Sequence, residues 1–287
     1  MRPTSFHLAN CIDQAIQQGL DRLDAQLLML WAHEKPFNQR AWLLAHDQDM
    51  IQEETYAKWL QLVNRRLNQE PFAYIVGQQD FYGLQLQVNP AVLIPRPDTE
   101  TLVDWALELA PLFSHTLDQH LLDLGTGSGA IVLAFKSQQK NWSCTAVDAS
   151  EAALQVAEKN SQNLNLPVEF ILSDWCNNIS KTRQFSLIVS NPPYIVPNDS
   201  HLAQLQFEPI SALVAENQGL ADIAQIVNQA TLHLRKGAYL LLEHGYDQAE
   251  QVQQLLIQQG FNQVQSRQDL GGNWRCTGGC WNPSSIL

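Results

Sequence analysis

Apolar positions in the first quarter of the chain recur every three to four residues. Leu20, Leu23, Leu27, Leu28, Leu30 and Trp31 form one stripe, and Tyr56, Leu60, Val63 and Leu67 another. That is the spacing of helices that bury one face. Residues 7–68 therefore read as helical. Asp21 or Asp24 opens one helix, Asn38 caps a short segment through Leu44, and the last stripe stops before Pro71. From Phe81 to Val88 the period falls to two, with a turn signal at Asn89-Pro90 and a second apolar run from Ala91 to Ile94. This predicts a β-hairpin joining two domains. Pro95-Arg96-Pro97-Asp98-Thr99-Glu100 reads as a stiff loop, with Asp98 or Thr99 as N-cap of a helix over 100–110.

From His120 onward short apolar runs alternate with helical stretches. Strands are expected at 121–124, 144–147, 168–172, 186–190, 238–243 and 262–265, and helices near 130–138, 151–164, 220–234 and 247–259. Such alternation implies an α/β fold, a doubly wound and mainly parallel sheet covered on both faces. The expected organisation is a helical domain over 1–79, a hairpin linker over 80–97 and an α/β domain over 98–287. Trp31, Trp42, Trp59 and Trp105 lie on helical stripes and read as core or as domain contacts.

Composition narrows the function. Hydrophobic residues make up 45% of the 287 positions, enough for a sizeable core. Lys and Arg number 17 against 29 Asp and Glu, a net charge of −12. A protein that lives on nucleic-acid phosphates would carry a basic surface instead. Five scattered cysteines, no secretory h-region in Met1–Asn10 and no apolar run near the ~18 residues of a span predict a reduced, cytoplasmic protein. Cys276 and Cys280 form a single pair with no histidine close by, so no metal is expected.

Two stretches carry chemistry. Leu121-Leu122-Asp123-Leu124 runs into Gly125-Thr126-Gly127-Ser128-Gly129-Ala130, a strand, a glycine turn and a helix start. The turn lets the backbone approach a ligand, and the helix start offers free N–H groups. The spacing also fits a dinucleotide loop. Asp123, in an apolar strand, calls for a donor or cation, and a ligand ammonium group would serve where a pyrophosphate would be repelled. Loop N–H groups could satisfy it equally. Asp148 ends the next strand, where an acid can accept both hydroxyls of a ribose. Asp174 could receive an adenine amino group and Trp175 could cover the ring, or Trp175 could be core.

Phe185-Ser186-Leu187-Ile188-Val189-Ser190 delivers Asn191-Pro192-Pro193-Tyr194 at a strand's C-terminal end. Two prolines fix the backbone and remove two donors. The Asn191 side-chain oxygen and the Pro192 carbonyl then form an acceptor pair that matches the two hydrogens of a planar –NH2 group. Tyr194 can lie against its flat face. Orienting such a poor nucleophile in line with an electrophile supplies rate by positioning and electrostatics.

With these segments together the chain resembles the peptide chain release factor glutamine N5-methyltransferase family. The resemblance runs from about Phe72 to Arg275. It includes Phe81-Tyr82-Gly83, Leu93 to Glu100, Asp123 to Gly129, Asn191 to Tyr194, Phe207-Glu208-Pro209, Leu241 to Gly245 and Asp269 to Gly272. It implies a class I, Rossmann-like S-adenosylmethionine-dependent methyltransferase domain behind a small helical domain that docks the release factor. The implied reaction methylates the glutamine amide of the Gly-Gly-Gln motif of class 1 release factors, in translation termination. Gly125, Thr126, Gly127, Ser128, Gly129, Asp148, Trp175 and Asn191 would line the cofactor site. Asn191, Pro192, Pro193 and Tyr194 would hold the glutamine, with Asn191, Pro192 and Tyr194 at the chemistry. A sister family that modifies a ribosomal-protein glutamine shares Asn-Pro-Pro-Tyr, but its linker reads differently after Pro-Arg. The chain departs from the pattern at Gly272-Asn273-Trp274-Arg275-Cys276, which would concern the sheet edge only.

A nucleic-acid amino methyltransferase, an NAD-linked oxidoreductase and a non-catalytic adaptor are the rival readings. Acidity argues against the first, the unused Asn191–Tyr194 turn against the second, and the intact acceptor pair and glycine loop against the third. His244 reads as structural before it reads as a proton shuttle. Arg96 and Glu100 form either a closing loop or an ion pair at a helix start, and Glu208 has no assigned role.

Overall fold

The computed structural model describes residues 7–115 and 118–282. Two compact units divide after Gly77. The first holds α1 (Leu8–Gln17), α2 (Arg22–Ala32), α3 (Arg40–Ala45), α4 (Glu53–Leu67) and α5 (Phe72–Val76). Leu28, Met29, Leu30, Trp59 and Val63 close its core, with Trp31 and Trp42 packed on the edge. Asp21 caps α2 by accepting from the N–H groups of Leu23 (2.7 Å) and Asp24 (3.3 Å). Asp24 instead pairs with Arg66 of α4 at 2.7 Å. The expected Asn38 cap is corrected: α3 starts at Arg40 after Gln39, with no side-chain cap.

The second unit opens with a hairpin of β1 (Gln78–Phe81) and β2 (Leu84–Gln87). Its turn lies at Tyr82-Gly83 and not at Asn89-Pro90. Both turn residues have positive φ (50° and 73°), which suits the twist of a two-residue hairpin and is natural for glycine. The run from Ala91 to Ile94 is not a strand. The hairpin is no free linker either. The Asn160 side chain accepts from the Gln87 N–H (2.7 Å) and donates to the Gln87 carbonyl (3.0 Å), so β2 is part of this unit.

The remaining elements are α6 (Glu100–Leu109), β3 (His120–Leu124), α7 (Ala130–Gln138), β4 (Ser143–Asp148), α8 (Glu151–Leu164), β5 (Glu169–Leu172), β6 (Phe185–Ser190), the short turn α9 (Glu216–Gly219), α10 (Ala221–Ala230), β7 (Leu234–Glu243), α11 (Ala249–Gln259), β8 (Phe261–Gln268) and β9 (Trp274–Trp281). The predicted helix over 220–234 stops at Ala230, because Leu234 already pairs with Phe185 in the sheet. β9 is an element the sequence pattern does not show. Gly278 and Gly279 have low strand propensity, yet the strand is hydrogen-bonded to β7 on one side and β8 on the other.

Sheet order is β5-β4-β3-β6-β7-β9-β8, with β5, β4, β3, β6 and β7 parallel and β9 antiparallel to both neighbours. Side-chain alternation splits the core in two. Leu121, Leu187, Val189 and Leu241 face Trp105 and Phe135 on one side. Leu122, Ile188, Leu240 and Leu242 face Ile226 and Leu256 on the other. Each such fully buried leucine contributes about 1.5–3 kcal/mol relative to exposure. Strand order reverses between β3 and β6, so the ligand crevice of an open α/β sheet falls at their C-terminal ends. Those ends carry Gly125 and Asn191. No helix among the described residues is long and apolar enough to cross a membrane.

Candidate active site

The glycine turn after β3 is fastened to the end of β4. Gly125 and Thr126 donate their N–H groups to the Val147 carbonyl (2.9 Å each), and Gly127 donates to Asp148 Oδ2 (2.9 Å). Gly125 has φ +71°, and a Cβ there would stand 3.1 Å from the Trp175 ring, so the indole lies directly on the turn. Asp148 Oδ1 accepts from the Ser150 N–H at 2.9 Å, while Ser150 itself caps α8. The Ala149 N–H acts on the same carboxylate. Burial pushes its carboxyl above the usual range despite these donors.

Gly125, Thr126, Gly127, Ser128, Asp148, Asp174, Trp175, Asn191 and Pro193 all line one cleft of about 570 Å³. That volume lies within the range of small-molecule sites, about 300–1,000 Å³. Gly129 does not line it and instead starts α7 against Leu133 and Ala157. Asp222 of α10 does line it, and its carboxylate takes a hydrogen bond from the Trp175 side chain. Sequence reasoning misses Asp222, since an acid in a helix's first turn is ordinary.

A second cavity of about 310 Å³ is lined by Tyr194, Ile195, Leu205 and Leu213. It shares Leu93, Arg96, Asn191 and Ala212 with the first. Asn191 thus stands in the wall common to both. Its Nδ2 donates to Thr99 Oγ1 (3.2 Å), which directs the amide nitrogen to the protein and leaves the oxygen as the free acceptor. Pro192 is buried and lies outside both linings.

Thr99 holds the N-cap position of α6, as expected, but makes no side-chain cap bond, because a 3-10 turn over Pro97–Thr99 precedes the helix. Asp98 pairs with Arg275 at 3.1 Å, and Arg275 also meets Asp269 at 3.3 Å. Arg96 pairs with the buried Glu208 and not with Glu100, whose Oε1 accepts the Tyr82 N–H (2.9 Å). Glu208 Oε2 also accepts the Ile94 N–H (3.1 Å), so this carboxylate ties the segment before α6 to the one after β6. Beneath the Asn191–Tyr194 turn lies Glu243, 1% exposed, which accepts from the Tyr194 hydroxyl at 3.4 Å. Burial pushes Glu243 up to about 7, against a hydrogen bond from Thr99 and the charge of Arg275.

Asp123 is completely buried and outside the cleft lining. Thr126 Oγ1 donates to its Oδ2 (2.7 Å), and among the described residues Oδ1 has no hydrogen-bond partner. Burial pushes Asp123 up to about 7. A carboxyl with a raised folded pKa binds more protons folded than unfolded, so its stabilisation is complete below about 4 and is lost as pH rises through 7. Asp123→Asn should flatten the fall in melting temperature between pH 5 and pH 8 measured by calorimetry; an unchanged slope would refute this. His244 is buried as well. Its Nδ1–H donates to the Gly245 carbonyl (2.8 Å) and Nε2 bonds Thr277 Oγ1 (2.7 Å). Burial lowers its pKa, so it is a neutral structural residue with both nitrogens engaged.

Two cavities that meet at one oriented amide suit a transfer between a nucleoside-sized molecule and a second group entering from Tyr194's side. Comparison with known proteins agrees. The Methyltransferase small domain family model matches residues 103–269, and the PrmC N-terminal domain model matches residues 11–77. The release factor glutamine methyltransferase of Bordetella pertussis is 45% identical over 269 residues, covering 93% of this chain and 97% of that protein. That of Pseudomonas aeruginosa is 48% identical over 263 residues, 91% and 92% of the two chains. Among solved structures, a T. thermophilus 16S rRNA N2 G1207 methyltransferase (RsmC) in complex with AdoMet and guanosine shares the fold. It has a TM-score of 0.52 at 17% identity, over 71% of this chain and 49% of that one.

Proposed function

The chain belongs to the release factor glutamine methyltransferase family, and from that premise we propose that it uses S-adenosyl-L-methionine to methylate the side-chain amide nitrogen of the glutamine in the Gly-Gly-Gln motif of class 1 release factors. The carrying observation is the position of Asn191, shared by both cavities with its nitrogen tied to Thr99.

The larger cleft fits the cofactor by its chemistry. Asp148 lines it at the end of β4, where its carboxylate would receive the ribose hydroxyls, and Trp175, held by Asp222, offers a flat face beside Asp174. When bound, S-adenosylmethionine supplies an electrophilic methyl group on a sulfonium. The residues of the chain do the rest. Asn191 Oδ1 accepts one amide hydrogen of the glutamine, and the Pro192 carbonyl, which lies outside both linings here, accepts the other once the glutamine is seated. Pro193 and Tyr194 fix its plane from the two sides of the wall. Drawing both hydrogens toward acceptors would favour charge withdrawal as the new C–N bond forms and the methyl–sulfur bond breaks; one of the two hydrogens then leaves as a proton to solvent, so that the methylated amide is neutral. The N-terminal helical unit docks the release factor, and the reaction takes place in the cytoplasm.

Incubation with methyl-labelled S-adenosylmethionine and a purified class 1 release factor tests the reading, with mass spectrometry to locate the label. Label on the Gly-Gly-Gln glutamine is the expected result. Label on a ribosomal protein or nucleic acid in its place, or none at all, overturns it.

A further inference from the structure

Glu243 ends β7, the strand beside the one that delivers Asn191. A carboxylate so completely buried costs free energy, and it persists only where its partners repay that cost. Those partners lie in the site. The Tyr194 hydroxyl donates to Oε1 at 3.4 Å. The Thr99 hydroxyl, which accepts from Asn191 Nδ2 at 3.2 Å, bonds to the same carboxylate. A hydroxyl has one hydrogen to give. If Asn191 donates to Thr99, Thr99 must donate onward, and the buried carboxyl group is its acceptor. While Glu243 is ionised, the donors run from Asn191 through Thr99 to Glu243. That sense keeps the Asn191 oxygen turned outward; with the amide flipped by 180°, Thr99 would face two acceptors with one hydrogen to give. Oε2 has no partner. Arg275 from β9 and Asp98 from the turn before α6 supply opposed charges around the group.

We infer that Glu243 is the positioning residue of the Asn191–Tyr194 turn, holding both the acceptor amide and the aromatic wall in register from beneath through Thr99 and Tyr194. It touches neither substrate, and its effect on rate passes through Asn191. This role rests on the proposed methyl transfer to an amide, but the geometry it asserts can be checked without turnover.

The test compares Glu243→Ala, Glu243→Gln and Thr99→Val with the wild type, each assayed well below its own melting temperature. Glu243→Ala should lower kcat about 10²-fold, the scale of an ångström-sized misplacement. Glu243→Gln keeps an acceptor oxygen in place and should stay within about fivefold of the wild type. Thr99→Val, nearly the same shape, cuts the relay without removing the carboxylate and should lower kcat about tenfold, roughly one lost hydrogen bond. It decides the matter if Glu243→Ala does not fold. Crystal structures of the variants give a readout that does not depend on activity: Asn191 or Tyr194 should leave its place in Glu243→Ala or Thr99→Val. Unmoved side chains overturn the inference, and so does an alanine or valine variant that changes melting temperature alone. Failure of the wild type to methylate release factor overturns the proposed function instead, and leaves the structural comparison to judge Glu243.

Discussion

Asn191→Ala should reduce kcat about 10²–10³-fold, the usual cost of deleting one preorganised polar group that acts in the transition state. The side chain is half-buried and lies between two cavities, so its loss removes little packing and the fold should survive. Its amide oxygen is oriented in advance by the Thr99 bond, and an oriented acceptor costs no reorganisation as charge develops on the attacking nitrogen. An interaction made only in the transition state lowers kcat and kcat/KM alike. That signature separates amide capture from simple substrate binding, which would raise KM alone. Steady-state kinetics with release factor as variable substrate, with circular dichroism to confirm folding, makes the distinction. Activity within a few-fold of wild type, or a loss confined to KM, would contradict the capture of the amide by this residue.

The second large effect belongs to the other cavity. Asp148→Ala should weaken S-adenosylmethionine binding about 10–100-fold, since hydrogen bonds to a charged group contribute about 1.5–3 kcal/mol each. Two losses combine. The ribose loses its acceptors, and the Gly127 N–H loses the carboxylate that ties the glycine turn to β4. The remaining ties, from Gly125 and Thr126 to the Val147 carbonyl, keep the turn folded. Calorimetric titration should therefore show a raised Kd, with kcat at saturating cofactor changed far less than in Asn191→Ala. A large fall in saturated kcat with unchanged Kd would place Asp148 in the chemistry and not in cofactor binding.

The parallel sheet and its two cavities follow from features of different range. Strand and helix positions from β3 to β6 were legible because each is a short apolar run or an amphipathic stretch whose period a single segment displays. The glycine turn and Asn191-Pro192-Pro193-Tyr194 were legible for a related reason: backbone-restricting residues at the end of a strand carry their meaning locally. β9 was not legible. Its glycines have low strand propensity, and only pairing on both sides, to β7 and β8, makes it a central strand. The hairpin turn was displaced for the same kind of reason, since Asn89-Pro90 is the stronger local signal and the packing of β2 against Asn160 selects Tyr82-Gly83.

The candidate site shows the same division. Asn191, Asp148 and Trp175 announce themselves by position after strands. Asp222, Thr99, Glu208 and Glu243 do not, because an isolated acid or threonine is common everywhere and acquires meaning from neighbours far along the chain. Glu208 meets Ile94 and Arg96 across more than a hundred residues, and Asn191 meets Thr99 across ninety-two.

Taken alone, then, the order of residues determined the strands and helices from β3 to β6, the glycine turn and the proline corner, and which side chains stand at those strand ends. Those properties depend on local sterics and periodicity. Only the folded chain decided which buried groups face one another: that Asn191 is turned by Thr99, that Glu243 lies beneath both, and that Arg275 reaches Asp98. Hydrogen bonds and charges act over a few ångströms of space, whatever the separation along the chain, and the sheet order alone brings those atoms within that distance.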